Sequence, residues 1–273
     1  MIKPKLKTAI NNTIIIAHRE DTSQLENALQ QESLPAKVYR RAYEENEYKL
    51  PSASRCLLNH ADAWKNAASC DGLTLIVEAD FVPCQGLGDF PLPFTPCQTE
   101  KQAAWIYSIG PVIYHYDGNG SFFGHNAGLV AYVLDQASAL AWIDLFEEHK
   151  AVNGLIEYCQ FDVTMPVDLR WKKGVRCYIS KKSYGEHGGI ANPEHQRHGY
   201  RGWHQADTLM APLRFLPLYA KGSTYLYKAI RARSRLRYIY KFIAGKYFDG
   251  WRAFARSKHF RRKKLLFAFG RIL

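Results

Sequence analysis

TLIVEADFVP, residues Thr74 to Pro83, begins as an apolar run rich in β-branched residues. It meets two acids at Glu78 and Asp80, with only Ala79 between them, and resumes with Phe81 and Val82. Such a run predicts a buried strand. If the acids end a central strand, Glu78 and Asp80 are expected to face the same side, because side chains alternate with period two. Two carboxylates so placed can share one hard divalent cation, Mg²⁺ or Mn²⁺, of the kind that bridges carboxylates and substrate phosphates. The plainer reading is a pair of solvated acids where the strand leaves the core.

Upstream, NNTIIIAHRED reads as a first buried strand that leads into the helical pattern TSQLENALQQE, and AKVYRRAY reads as a second strand. SRCLLNHADAWKNAA is a helix, closed by Asp71-Gly72 just before LTLIVEAD. Strand, helix, strand, helix, strand predicts an α/β domain with a mainly parallel, Rossmann-like sheet flanked by helices. Sheets of this kind bind ligands at the carboxyl ends of their strands, where the two acids fall. Downstream, GLGDFPLPFTPCQT is a loop, and AAWIYSIGPVIYHY reads as extended chain. GHNAGLVAYVLDQASALAWIDLFEEH gives a strand and a helix, and VRCYIS a further strand. YGEHGGIANPEHQRHGYRGWHQAD is polar and rich in Gly and His.

The 273 residues suffice for one large core, and the net charge is +12. That charge is not spread evenly. From Lys221 to the end there are 16 Lys+Arg against one acid, Asp249, leaving 21 Lys+Arg and 24 Asp+Glu in residues 1–220. The expected division is therefore a near-neutral domain over 1–220 and a basic, aromatic tail over 221–273. In the tail, Tyr240, Ala244, Tyr247, Phe248, Trp251 and Ala255 share one helical face, while Lys241, Arg252 and Arg256 lie mostly beside or opposite it. A basic amphipathic C-terminal helix of this kind suits an anionic membrane surface. Nucleic acid is the rival partner, against which the acidic motif and the apolar face both count, so none is expected. A helix that docks on the core is the third reading. The six cysteines include no C-x-x-C pair and read as reduced cytosolic thiols. No apolar run approaches the roughly 18 residues of a membrane span, and Ile14–Ala17 is too short for a signal sequence. The expected place is the cytoplasm, peripheral on the inner face of the membrane.

CLLNHADAWKNAASCDGLTLIVEADFVP resembles the core of glycosyltransferase family 25, the lipopolysaccharide-type sugar transferases, in which a Ser-His helix precedes an apolar strand ending Glu-Asp-Asp. TIIIAHRED is similar to the family's opening strand and turn, GLVAYVLDQASALAWID to its Tyr-containing strand and following helix, and PVDLRW to its Pro-x-Asp motif. The likeness spans roughly residues 12 to 190. Asn59 stands where the family has Ser, and Ala79 where it has the middle acid.

The resemblance implies a GT-A fold and transfer of a sugar, galactose from UDP-galactose to be tested first, by inversion. The acceptor would be a lipid-linked or free saccharide in surface polysaccharide or lipopolysaccharide biosynthesis. A cation held by Glu78 and Asp80 would neutralise the departing diphosphate. His187, among glycines that let backbone approach a phosphate, is the expected third ligand or a diphosphate contact, with His195 behind it. The general base is expected at Asp168 of PVDLRW, with Asp162 second; a cap or turn role beside Pro166 is the alternative for Asp168. Arg19, Asp21 and His60, with Glu78, are the expected donor-binding residues; solvated turn residues and a structural histidine are the alternatives. The competing function is a non-catalytic GT-A-like module binding a membrane or a glycan, which loss of the middle acid favours.

Overall fold

Thr13 to Ala17 are all buried, which places the first strand in the interior of a sheet covered on both faces. The computed structural model describes residues 3–109, 111–116, 121–190, 194, 197, 204–244, 265, 267 and 269–271. In chain order the principal elements are α1 (Leu6–Ala9), β1 (Ile10–Ala17), α2 (Ser23–Gln31), β2 (Lys37–Arg40), α3 (Ser52–Ala68), β3 (Leu73–Glu78), β4 (Phe81–Pro83) and β5 (Gln102–Trp105). There follow β6 (Val112–Tyr116), β7 (Phe122–His125), β8 (Ala131–Asp135), α4 (Gln136–Asn153), α5 (Phe161–Trp171), β9 (Arg176–Ile179), β10 (Gly185–His187) and α6 (Thr224–Ile243).

Eight strands form one sheet in the order β2-β1-β3-β8-β5-β9-β7-β6, and β4 pairs with β10 in a separate ribbon. The half containing β2, β1 and β3 is parallel, as the alternation of strands and helices predicts. The expectation of a mainly parallel sheet fails beyond it. β8 runs antiparallel to both β3 and β5, and β7 antiparallel to both β9 and β6; only β5 and β9 pair in parallel. The cause lies in the connections: β8 returns through a long loop and hairpin rather than a crossover helix, so nothing forces its direction to match β3.

Alternation sorts the core into two layers. Ile14 and Ile16 of β1, Ile76 of β3 and Tyr132 of β8 face α3 and α4, while Ile15, Val77 and Val133 face α1, α2 and β4. Trp64 of α3 stacks on Trp142 of α4, centroids 4.7 Å apart, with both indoles fully buried. Truncating either to Ala is expected to cost about 3–5 kcal/mol. Asp135 caps α4 by accepting from the Ser138 N–H at 2.7 Å, and Gly154 at φ +66° ends it.

The proposed division at 220/221 is not a boundary between a domain and a free tail. Tyr238 of α6 is buried, and its hydroxyl lies 2.9 Å from the Ile109 carbonyl and 2.8 Å from that of Gln205. Arg231 donates to buried Glu186 at 2.6 Å. Near the C-terminus, Phe267 packs on Phe122, Ile113 and Ile179. The fully buried Arg271 makes a two-pronged ion pair with Asp207 and also donates to the Ser180 carbonyl at 3.0 Å. Aromatic and cationic residues of the tail thus serve partly as core. Of the expected membrane-facing stripe, Tyr240 is exposed; Tyr247, Phe248, Trp251, Arg252, Ala255 and Arg256 lie outside the described residues. No helix among the described residues is long and apolar enough to cross a membrane.

Candidate functional site

β3 delivers Glu78 to the face that also carries Ile76, toward α3. Backbone pairing persists one residue past the strand, with Glu78 N–H donating to Val130 and Ala79 N–H to Ile16, and then the chain turns. Asp80 therefore sits in the turn and not a strand step beyond Glu78. What brings it back is the ribbon: β4 pairs with β10 in the register Phe81↔His187, and the Gly188 N–H donates to the Asp80 carbonyl at 2.7 Å.

Glu78, Asp80 and His187 consequently converge, each offering one ligand atom, all within 4.8 Å of one another. His187 Nε2 lies 3.2 Å from Asp80 Oδ2. Among the described residues, buried Asp80 Oδ1 and His187 Nδ1 have no hydrogen-bond partner, and polar atoms left so are costly unless something binds them. Burial raises the Asp80 carboxyl, with nearby His187 opposing and Glu78 adding to the rise. Burial pushes Glu78 the same way, but the His60 hydrogen bond and the neighbouring imidazoles of His60, His187 and His204 outweigh it and hold Glu78 below the usual range. Two close carboxylates driven apart in this way are relieved by a cation between them. Two carboxylates and an imidazole suit Mn²⁺ or Mg²⁺.

Two of the glycines around His187 have a packing task. A Cβ on Gly189 would overlap Asp80 Oδ2, and one on Gly185 would overlap the Phe81 ring. They let the β10 segment lie against the acidic turn.

His60 has no exposed surface of its own. It is wholly enclosed beside Trp64, Tyr132 and Phe161, with Nδ1 2.9 Å from the Tyr132 hydroxyl and Nε2 3.1 Å from Glu78 Oε1. The Trp64 indole N–H donates to the same hydroxyl at 2.7 Å. Trp64 can only donate, so a consistent chain runs Trp64 N–H to Tyr132 oxygen, Tyr132 O–H to His60 Nδ1, and His60 Nε2–H to Glu78. The structure thus places His60 behind Glu78, held between Tyr132 and the carboxylate. Cys56 lies close to both His60 and Glu78, and burial, then the charge of Glu78, pushes its thiol well above the ordinary range.

The acids form the meeting point of two hollows. One, of about 220 Å³, is bounded by His18, Glu20, Tyr43, Arg55 and Asn59; the other, of about 630 Å³, by Tyr107, Leu129, Phe161, Asp162, His187 and His204. Ser52, Cys56, Glu78 and Asp80 line both. A groove of about 610 Å³ elsewhere, beside Lys65 and Lys150, has its Arg41 already paired with Glu47 and Asp62.

Asp162, in the first turn of α5, lines the larger hollow; Asp168 does not. Six residues further along the helix, Asp168 carries its carboxylate to the outer surface, where Lys172 Nζ holds it at 2.9 Å. Arg19 and Asp21 line neither hollow. Asp21 accepts from the N–H and hydroxyl of Ser23 and so fastens the start of α2. The turn after β1 is held by Arg40, which donates to the His18 carbonyl at 3.1 Å and that of Glu20 at 2.7 Å. The cation facing the smaller hollow is Arg55, on the first turn of α3, which sequence reading passed over along with His18, Tyr43, Tyr107 and His204. The helical period does place Arg55 four residues before Asn59, and that was the available signal. His195 lies outside the described residues.

No family model matches the chain, and no curated protein matches it. Among solved structures it is similar to a glycosyltransferase involved in the glycosylation of the major capsid of PBCV-1, at 10% identity over 62% of this chain and 80% of that chain, with a TM-score of 0.36.

Proposed function

We propose that this chain is a nucleotide-sugar-dependent glycosyltransferase of the GT-A type, with the donor diphosphate held at Glu78, Asp80 and His187. The observation that carries the reading is the convergence of these three side chains at the junction of two hollows, with buried Asp80 Oδ1 lacking a partner among the described residues. A divalent cation bound there, Mn²⁺ or Mg²⁺, would supply Lewis-acid stabilisation of the departing phosphate oxygens. The smaller hollow lies where β1 and β3 end, the place nucleotides occupy in open α/β sheets, and takes the nucleoside end of a UDP-sugar. Tyr43 and His18, centroids 5.1 Å apart, give it an aromatic wall, and Arg55 a cation. The larger hollow takes the sugar and a saccharide or lipid-linked acceptor, galactose being the first sugar to try. Asp162, which lines it, would take the proton from the attacking hydroxyl, the single displacement giving inversion. The resemblance to family 25 supports a role in surface polysaccharide or lipopolysaccharide assembly.

The test is a screen of nucleotide sugars by thermal shift and donor hydrolysis, with and without Mn²⁺. A native-state ligand raises the melting temperature. Donor turnover that needs the cation and is lost in Asp80→Ala, with the fold intact, is the expected result. Full turnover in chelator, or an unaffected Asp80→Ala protein, would remove the cation from the reading.

A further inference from the structure

Away from the candidate active site, and sharing no lining residue with either hollow, a pocket of about 330 Å³ opens between α6 and the segment around Asp207. Four cations line it: Lys182 and, on α6, Lys228, Arg231 and Arg235. The three α6 residues stand at spacings of three and four, so one side of the helix presents them together.

Exposure orders them by depth. Arg231 is largely buried, with 17% of its side chain accessible, and Lys182 is half-buried, while Lys228 and Arg235 stand at the rim. The acids nearby are already committed, Asp207 to Arg271 and Glu186 to Arg231. Lys182 and Lys228 have no acidic partner among the described residues. Against Asp207, which also lines it, the pocket carries an excess of positive charge, and concave surfaces of one sign concentrate a ligand of the other.

We propose that this pocket binds a phosphoryl dianion, carried on a small polar molecule or on the headgroup of a phosphomonoester lipid. Arg and Lys are the side chains that recognise phosphate oxygens, the guanidinium by its fork and the ammonium as a point charge. A short, open recess of this size fits one phosphorylated headgroup. Strand binding of nucleic acid uses instead a long groove with stacking platforms. The inference stands apart from the transferase reading, because none of the four cations belongs to the acidic site.

The experiment measures inorganic phosphate binding by calorimetry at constant ionic strength. It compares the full chain with the Lys182→Gln/Lys228→Gln double variant, which leaves Arg231 and its buried partner untouched. Flotation with phosphatidylcholine vesicles, with and without phosphatidic acid, runs in parallel. Saturable phosphate binding, weakened about tenfold or more in the double variant, is expected. Flotation that requires phosphatidic acid and is lost in the variant assigns a lipid headgroup; phosphate binding without flotation assigns a free phosphorylated molecule. Absence of both, equal binding by wild type and variant, or displacement of phosphate only by oligonucleotide would overturn the proposal. Donor hydrolysis is expected to be unchanged in the double variant, so failure here leaves the transferase reading to its own test.

Discussion

His60 Nε2 stands 3.1 Å from Glu78 Oε1, a wholly enclosed imidazole from the middle of α3 fixing a carboxylate at the end of β3. The register of the sheet makes this meeting inevitable: Ile76 pairs with Tyr132, both face α3, and Glu78 follows Ile76 by one period of the strand. Its consequence is that one oxygen of Glu78 is held on the α3 side.

Groups of this kind behind a metal ligand typically affect cation affinity about 10–100-fold. His60→Ala is therefore expected to weaken Mn²⁺ binding by that factor, read by calorimetric titration. Tyr132→Phe leaves the Trp64 N–H and His60 Nδ1 without their shared hydroxyl, and is expected to cost about 1–3 kcal/mol in denaturant unfolding. Unchanged cation affinity in His60→Ala would reduce the histidine to a packing role.

The two candidate bases separate cleanly. Asp162→Asn is expected to lower turnover about 10²–10⁴-fold with donor affinity little changed, since a general base acts in the transition state. Asp168→Asn loses only an exposed pair with Lys172, expected to matter by less than about 1 kcal/mol and to leave turnover intact. The reverse pattern, measured by steady-state kinetics on both variants, would return the role to Asp168.

Gly189→Ala tests the ribbon. Its methyl would collide with the Asp80 carboxylate and so part Asp80 from His187. Loss of cation binding with a melting temperature near that of wild type is expected. Wild-type cation affinity would show that the close approach of this segment is not needed.

At the other end of the chain, Arg271→Ala leaves Asp207 buried without its counter-ion, a change expected to cost about 3–5 kcal/mol. Deleting everything after Ala244 removes Arg271 and Phe267 together and is expected to yield a destabilised or aggregating protein. A truncated chain with full stability by chemical denaturation would restore the picture of an independent tail.

Much of this was legible in the one-dimensional pattern. Alternation and apolar runs located β1, α3 and β3, the Asp71-Gly72 turn between the last two, and the acids Glu78 and Asp80 at the strand's end, because these are short-range properties with a fixed period. His187 was marked by its glycines. What those glycines pack against was not legible, since a glycine announces close approach without saying what approaches. Asp168 was ranked ahead of Asp162, yet it is Asp162 that lines the larger hollow, because six residues of helix turn one toward the hollow and the other to solvent only once α5 is seated. The antiparallel joins of β8, the chain from Trp64 through Tyr132 and His60 to Glu78, and the burial of Arg271 against Asp207 link positions 18 to 72 residues apart. Composition alone assigned that last arginine to a basic, aromatic tail suited to a membrane surface. Whether a charge lies on the surface or in the core depends on the partner that folding brings to it, and no local period encodes that partner.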